Sequence, residues 1–165
     1  MKEILLRDAE PRDFPAVLGL NASEVSHTSG MDEARLRQLH GHACYHKVIE
    51  IDGEVGAFVL AMRERCGYVN ANYEWFAERY PLFLYVDRIV VGARHQGLRL
   101  GKRLYLDLFD YARAQGIPVV ACEYNLVPPN EPSRIFHDRF GFQEVGSQWL
   151  DGGAKQVSLQ VAPVG

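Results

Sequence analysis

Tyr85-Val86-Asp87-Arg88-Ile89-Val90-Val91-Gly92-Ala93-Arg94-His95-Gln96-Gly97-Leu98-Arg99-Leu100-Gly101-Lys102 is the stretch on which the reading turns. Its first half belongs to a mostly apolar run, Leu82 to Val91, and so predicts a central strand. Gly92 to Arg99 is polar and glycine-containing, which predicts a turn. From Gly101 to Gln115, Leu104, Leu108 and Tyr111 recur at helical spacing, and Gly116 closes the helix. A strand, a turn and a helix N-terminus present unpaired N–H groups and a positive dipole, which suit a phosphate. Gly97 and Gly101 permit close backbone approach, and Arg94, Arg99 and Lys102 add positive charge. Composition alone leaves a plain strand–turn–helix equally open. The spacing excludes two other phosphate loops: there is no G-x-x-x-x-G-K-[ST] and no G-x-G-x-x-G.

Working outward, the N-terminal side predicts a strand at Ile4 to Leu6 and a short helix capped by Asp13, carrying Phe14, Val17, Leu18 and Leu20. A polar run covers residues 21–30. A second helix starts at Asp32 and ends at Gly41. Tyr45 to Ile51 and Glu54 to Met62 flank Asp52-Gly53, a strong hairpin signal. Residues 63–81 form a long aromatic connection, with a short helix around Glu74 to Arg79. On the C-terminal side, Val119 to Asn125 is a strand. Pro132 sits in the first turn of a helix that stops at Gly141. Phe142 to Ser147 and Lys155 to Val161 are closing strands. The expectation is an α/β (α+β) layer structure with a mostly antiparallel mixed sheet, in one domain over 1–165.

The formal net charge is −3, which argues against a broad nucleic-acid surface. No stretch approaches the ~20 apolar residues of a spanning helix, and Met1 to Arg7 lacks the pattern of a secretory leader. A cytoplasmic chain with no nucleic-acid and no membrane partner is expected. Cys44, Cys66 and Cys122 form no C-x-x-C pair and read as free thiols. His40, His42 and His46 are close in sequence but straddle a helix end and a strand start. They need not converge, so no metal is expected. Cys122 lies mid-strand without a helix N-terminus to activate it and is a poor nucleophile.

Two motifs in register resemble the GNAT superfamily of N-acetyltransferases. Gln96-Gly97-Leu98-Arg99-Leu100-Gly101 matches its acetyl-CoA loop [QR]-x-x-G-x-[GA], with Arg99 replacing the internal glycine. Asn130-Glu131-Pro132-Ser133-Arg134-Ile135-Phe136-His137-Asp138-Arg139-Phe140-Gly141-Phe142 matches its later segment, with His137 where tyrosine is usual. The resemblance covers nearly the whole chain and looks like a bacterial subgroup. It implies a GNAT-type acyl-CoA N-acyltransferase fold of six to seven strands and about four helices. The implied enzyme is an acetyl-CoA-dependent N-acetyltransferase, acting on a small-molecule amine by direct attack in a ternary complex. A protein N-terminal or lysine acetyltransferase and a non-catalytic acyl-CoA-binding module are the alternatives. Homodimer formation through strand edges is a further expectation.

The same resemblance places Ile89, Val90 and Val91 beside the pantetheine arm. It places Gln96, Gly97, Leu98, Arg99, Leu100, Gly101 and Lys102 around the pyrophosphate. Asn130 and Ser133 fall near the pantetheine and Phe136 near the thioester. Arg134 and Arg139 are either phosphate ligands or a solvated helix face. His137 matches the general acid, with a structural helix residue as the equal alternative. Asp87 is the leading base, because a carboxylate inside an apolar strand is costly unless paired or functional. Its alternative is an ion pair with Arg88, which strict strand alternation opposes. Glu123 is the second base candidate on the same argument. Tyr68, Tyr73, Trp75, Phe76 and Tyr80 either wall the acceptor pocket, cover the sheet or meet a partner copy, and Tyr85 is expected to reach the pocket.

Overall fold

The computed structural model describes residues 2–24 and 29–165. Seven strands form one sheet in the order β1-β2-β3-β4-β5-β7-β6. They are β1 Ile4–Asp8, β2 Tyr45–Ile51, β3 Glu54–Arg63, β4 Leu84–Val91, β5 Val119–Val127, β6 Gln143–Leu150 and β7 Lys155–Pro163. The helices are α1 Phe14–Ser23, α2 Glu33–His42, α3 Ala71–Ala77, α4 Leu100–Ala114 and α5 Glu131–Asp138. All neighbouring strands are antiparallel except β4 and β5. The expected mixed sheet is present, with five α-helices among the described residues rather than about four.

Local chemistry sets most of these elements. Asp52 and Gly53 both take positive φ, 51° and 84°, the conformation an Asp-Gly hairpin turn requires. Asp32 caps α2 by accepting from Arg35 N at 2.8 Å. Asp13 stands at the N-cap of α1, but its side chain does not cap that helix. Its carboxylate instead takes both Arg7 Nη atoms at 2.8 Å and the Glu10 amide, and Arg7 holds its pKa below the usual range. The short helix expected near Glu74 to Arg79 starts earlier, because Asn70 Oδ1 accepts from the amides of Asn72 and Tyr73. The polar run over 21–30 contributes Asn21 to Ser23 to α1. The rest of that reading falls partly on 25–28, outside the described residues.

The sheet buries a core on each face. On one, α4 lays Leu104, Tyr105 and Leu108 against Ile49, Val59, Val86 and Val120. On the other, Phe14, Leu36 and Leu39 of α1 and α2 pack with Tyr68, Tyr73 and Phe76 on Phe58, Leu60 and Tyr85. The aromatics of 63–81 therefore cover the sheet, and their rings meet one another and Phe83 and Tyr85 in edge-to-face and tilted contacts.

Two departures from regularity make the site. Leu60 pairs with Arg88 and Ala61 with Val86, so Asp87 is an extra residue, a β-bulge in β4. The parallel strands β4 and β5 pair only at Leu84↔Val120 and Tyr85↔Ala121. Beyond those pairs they diverge and leave a cleft between their C-terminal halves.

Candidate active site

The cleft has a volume of about 1470 Å³ and runs from the N-terminus of α4 through the sheet to the side of α1 and α3. Ile89, Val90, Val91, Gln96, Gly97, Arg99, Leu100, Gly101, Lys102, Asn130, Ser133 and Phe136 all line it, as do Asp87, Glu123 and His137. Leu98 is the exception: it packs on the core beneath the loop. Arg134 is also absent from the wall. It pairs with Glu131 and Asp138 along α5 and forms a solvated face, whereas Arg139 reaches the cleft.

On the α4 side the loop forms an anion cradle. Arg103 N is the first amide of α4 to bond back, to Arg99 O at 3.1 Å. The amides of residues 100–102 have no intrahelical acceptor and face outward from the helix end. Gln96 Nε2 donates to Val91 O at 3.2 Å and ties the loop to β4. A side chain at Gly101 would meet the Phe136 ring at 3.2 Å, so the glycine lets α4 and α5 close together. Arg99 has φ 57° and ψ 36°. The position where the family motif has glycine is thus a left-handed one, and the loop keeps that conformation at a steric cost of about 1–2 kcal/mol.

The bulge decides the state of Asp87. Because it interrupts the alternation, Asp87 and Arg88 both turn toward α1 and α2. Arg88 Nε donates to Asp87 Oδ2 at 2.7 Å, and Tyr68 donates to Oδ1 at 2.6 Å. The side chains are 4% and 6% exposed. Arg88 also donates to Asn21 Oδ1 and Ser29 O. The ion pair that alternation opposed is present, and Asp87 is locked in it.

Glu123 is placed differently. It is half-buried at the floor of the cleft. It accepts a hydrogen bond from Tyr85, whose ring also lines the cleft. Burial pushes its carboxyl up to about 8, more than the Tyr85 bond lowers it; Asp87 adds to the rise.

His137 is buried, and both ring nitrogens are engaged. Nδ1 lies 2.7 Å from Ser133 O, a group that only accepts, so Nδ1 carries the proton. Nε2 then accepts from Tyr105, 2.7 Å away. Burial lowers the imidazole pKa. A neutral ring with no free N–H pins α5 to α4 and has no proton directed at the cleft.

Among the polar residues of the cleft that the sequence did not single out are Asn125 on β5 and Lys155 on β7. Asn125 follows Glu123 by two positions and shares its face, and a strand spacing of two was the available signal. His40 and His46 do converge, Nδ1 to Nδ1 at 2.8 Å, while His42 turns away to Cys66 O. Among the described residues no group of three metal-ligating side chains gathers, and no helix is long and apolar enough to cross a membrane.

A model of the acetyltransferase (GNAT) family matches residues 6–142. Solved structures share the fold over nearly the full length of both chains. Ard1 from Thermoplasma volcanium is 15% identical with a TM-score of 0.80, covering 97% of each chain. The ribosomal-protein-S18-alanine N-acetyltransferase from Escherichia coli is 16% identical with a TM-score of 0.75, covering 98% of this chain and 94% of that one. The yncA protein of Salmonella typhimurium, solved with its cofactor acetyl-CoA, is 21% identical with a TM-score of 0.69, covering 98% and 94%. With 137 of its 165 residues inside the family match, and with the strand, loop and helix that carry the motif walling one cleft, the chain belongs to the GNAT family of acetyltransferases.

Proposed function

We propose that this acetyltransferase moves the acetyl group of acetyl-CoA onto a primary amine of a small molecule, with Glu123 as the general base. The carrying observation is a carboxyl at the cleft floor whose pKa is pushed to about 8. A base of that strength takes a proton from an attacking amine near neutral pH. Asp87, paired with Arg88 and hydrogen-bonded by Tyr68, is the weaker candidate. It acts as a positioning residue that fixes the bulge.

The cradle fits the donor. The free amides of α4, with Arg99, Lys102 and Arg139, suit its phosphates. Past Tyr85, β4 has no ladder partner on its β5 side, so backbone groups around Ile89 are open to the pantetheine amides, while Val91 O already accepts from Gln96. The amine then meets the thioester from the side of Glu123. Its nitrogen bonds to the acetyl carbon, its proton passes to Glu123, and the C–S bond breaks to release CoA.

Calorimetric titration with acetyl-CoA, and with NAD as a control, tests the donor. Micromolar binding of acetyl-CoA alone is expected, followed by CoA release in an amine screen. Failure to bind acetyl-CoA or longer acyl-CoAs would remove the reading.

A further inference from the structure

On the Glu123 side of the cleft, most polar groups already have partners. Arg88 is held by Asp87, Asn21 and Ser29. Asn72 accepts from Gln148, and Asn70 caps α3. Among the described residues, the side chains of Glu24, Asp151, Asn125 and Lys155 have none, and only the last two can donate to an anion. Asn125 is 5% exposed, and among the described residues its side-chain amide makes no hydrogen bond. Lys155 is half-buried and, among the described residues, forms no ion pair or hydrogen bond. Both line the cleft.

Register brings them together. Asn125 pairs with Val157 across β5 and β7, and Lys155 lies two residues from Val157, on the same face. Glu123 lies two residues from Asn125 on that face. Lys155 is close enough to lower the Glu123 pKa. The Asn125 amide and the Lys155 ammonium are unpaired donors on one wall of the cleft, and a donor already held in place there gains most from an acceptor of opposite charge. An anionic ligand group would satisfy both.

We infer that Lys155 and the Asn125 amide receive a carboxylate carried by the acceptor, so that the substrate is an amino acid or a close relative. This rests on the acceptor side assigned above. The acceptor amine then faces Glu123 while its carboxylate meets Lys155. Glu24 and Asp151 also line the cleft. Their charge opposes a polyanion but tolerates a zwitterion carrying one ammonium and one carboxylate. The amino group reacts in its neutral form: its nitrogen bonds to the acetyl carbon, its proton passes to Glu123, and the C–S bond breaks to release CoA as the thiolate, while the carboxylate takes no part in bond making.

The test uses the full chain with acetyl-CoA and two matched panels, the L-amino acids and their α-carboxamides, plus simple alkylamines. CoA release is followed. At least one amino acid is expected to exceed its amide about 30-fold in kcat/KM, the range of a charge-assisted contact. Lys155→Met is expected to cut that acid-to-amide ratio at least tenfold and to leave the acetyl-CoA affinity unchanged by calorimetry. Amides or alkylamines turned over as well as the acids would overturn the inference. So would no turnover of any amino acid, or an unchanged ratio in Lys155→Met. Acetyl-CoA binding with turnover of plain amines would sink this inference alone, whereas absent acetyl-CoA binding would sink the acyltransferase reading itself.

Discussion

Replacing Glu123 with glutamine makes the protein more stable and less active at once. In the native chain its carboxyl ionises near 8 against an ordinary value of 4.5. Between those values the unfolded chain releases the proton and the native chain keeps it. The unfolded state therefore binds fewer protons, and stability falls as pH rises from 4.5 to 8. At pH 7 the span is 7 − 4.5, or about 2.5 units. At ~1.4 kcal/mol per unit, this one group costs roughly 3 kcal/mol. Glutamine keeps the size and the Tyr85 bond and removes the titration. Urea unfolding at several pH values should show Glu123→Gln matching the wild type near pH 4.5 and exceeding it by about 3 kcal/mol at pH 7. Turnover should fall about 100-fold or more, and the wild-type rate should climb with pH toward the Glu123 pKa. Parallel stability profiles for the two proteins across this range would refute the assignment.

His46 acts in the opposite direction. Burial, with His40 beside it, lowers its pKa to about 4, so its contribution is complete above 6.5 and is lost as pH falls toward 4. His46→Phe should remove roughly 3 kcal/mol of acid sensitivity, read as a flatter unfolding profile over that window. Arg99→Gly relieves a left-handed side chain worth about 1–2 kcal/mol and gives back about 0.4–1 kcal/mol in unfolded-chain entropy. Thermal unfolding should rise by about 1–3 °C, while calorimetry should show weaker acetyl-CoA binding for loss of a cation. Asp87→Ala leaves Arg88 buried without its partner and should cost about 3–5 kcal/mol in chemical unfolding. A loss under 1 kcal/mol would show that Asn21 and Ser29 suffice for Arg88.

Much of the donor side was legible because it is local. A hairpin at Asp52-Gly53, a strand feeding a glycine loop, and two helices in register are written in adjacent residues. The bulge at Asp87 was not, because it exists only in the register between β3 and β4. Strict alternation sent Asp87 and Arg88 to opposite faces, and the extra residue puts them on one. The preference for Asp87 over Glu123 followed from that missing fact, since both looked alike as carboxylates in apolar strands. His137 was read from its place in a motif, but its role depends on Tyr105, which lies 32 residues away. Likewise, Lys155 and Asn125 stand out only once the partners of their neighbours are known. The aromatics of 63–81 were recognisable as ordered, but composition did not distinguish a pocket wall from a cover for the sheet.

The parting of β4 from β5 has a consequence for how the molecule comes apart. Two residue pairs alone join the ladder of β1 to β4 to that of β5 to β7, so the sheet is two cooperative blocks sharing a narrow seam. Those amides of β4 and β5 that point into the gap beyond the seam, although central in the order of strands, should exchange with deuterium early. A ligand lying in the gap would act as the absent strand, fusing the blocks and slowing exchange on both sides of it together.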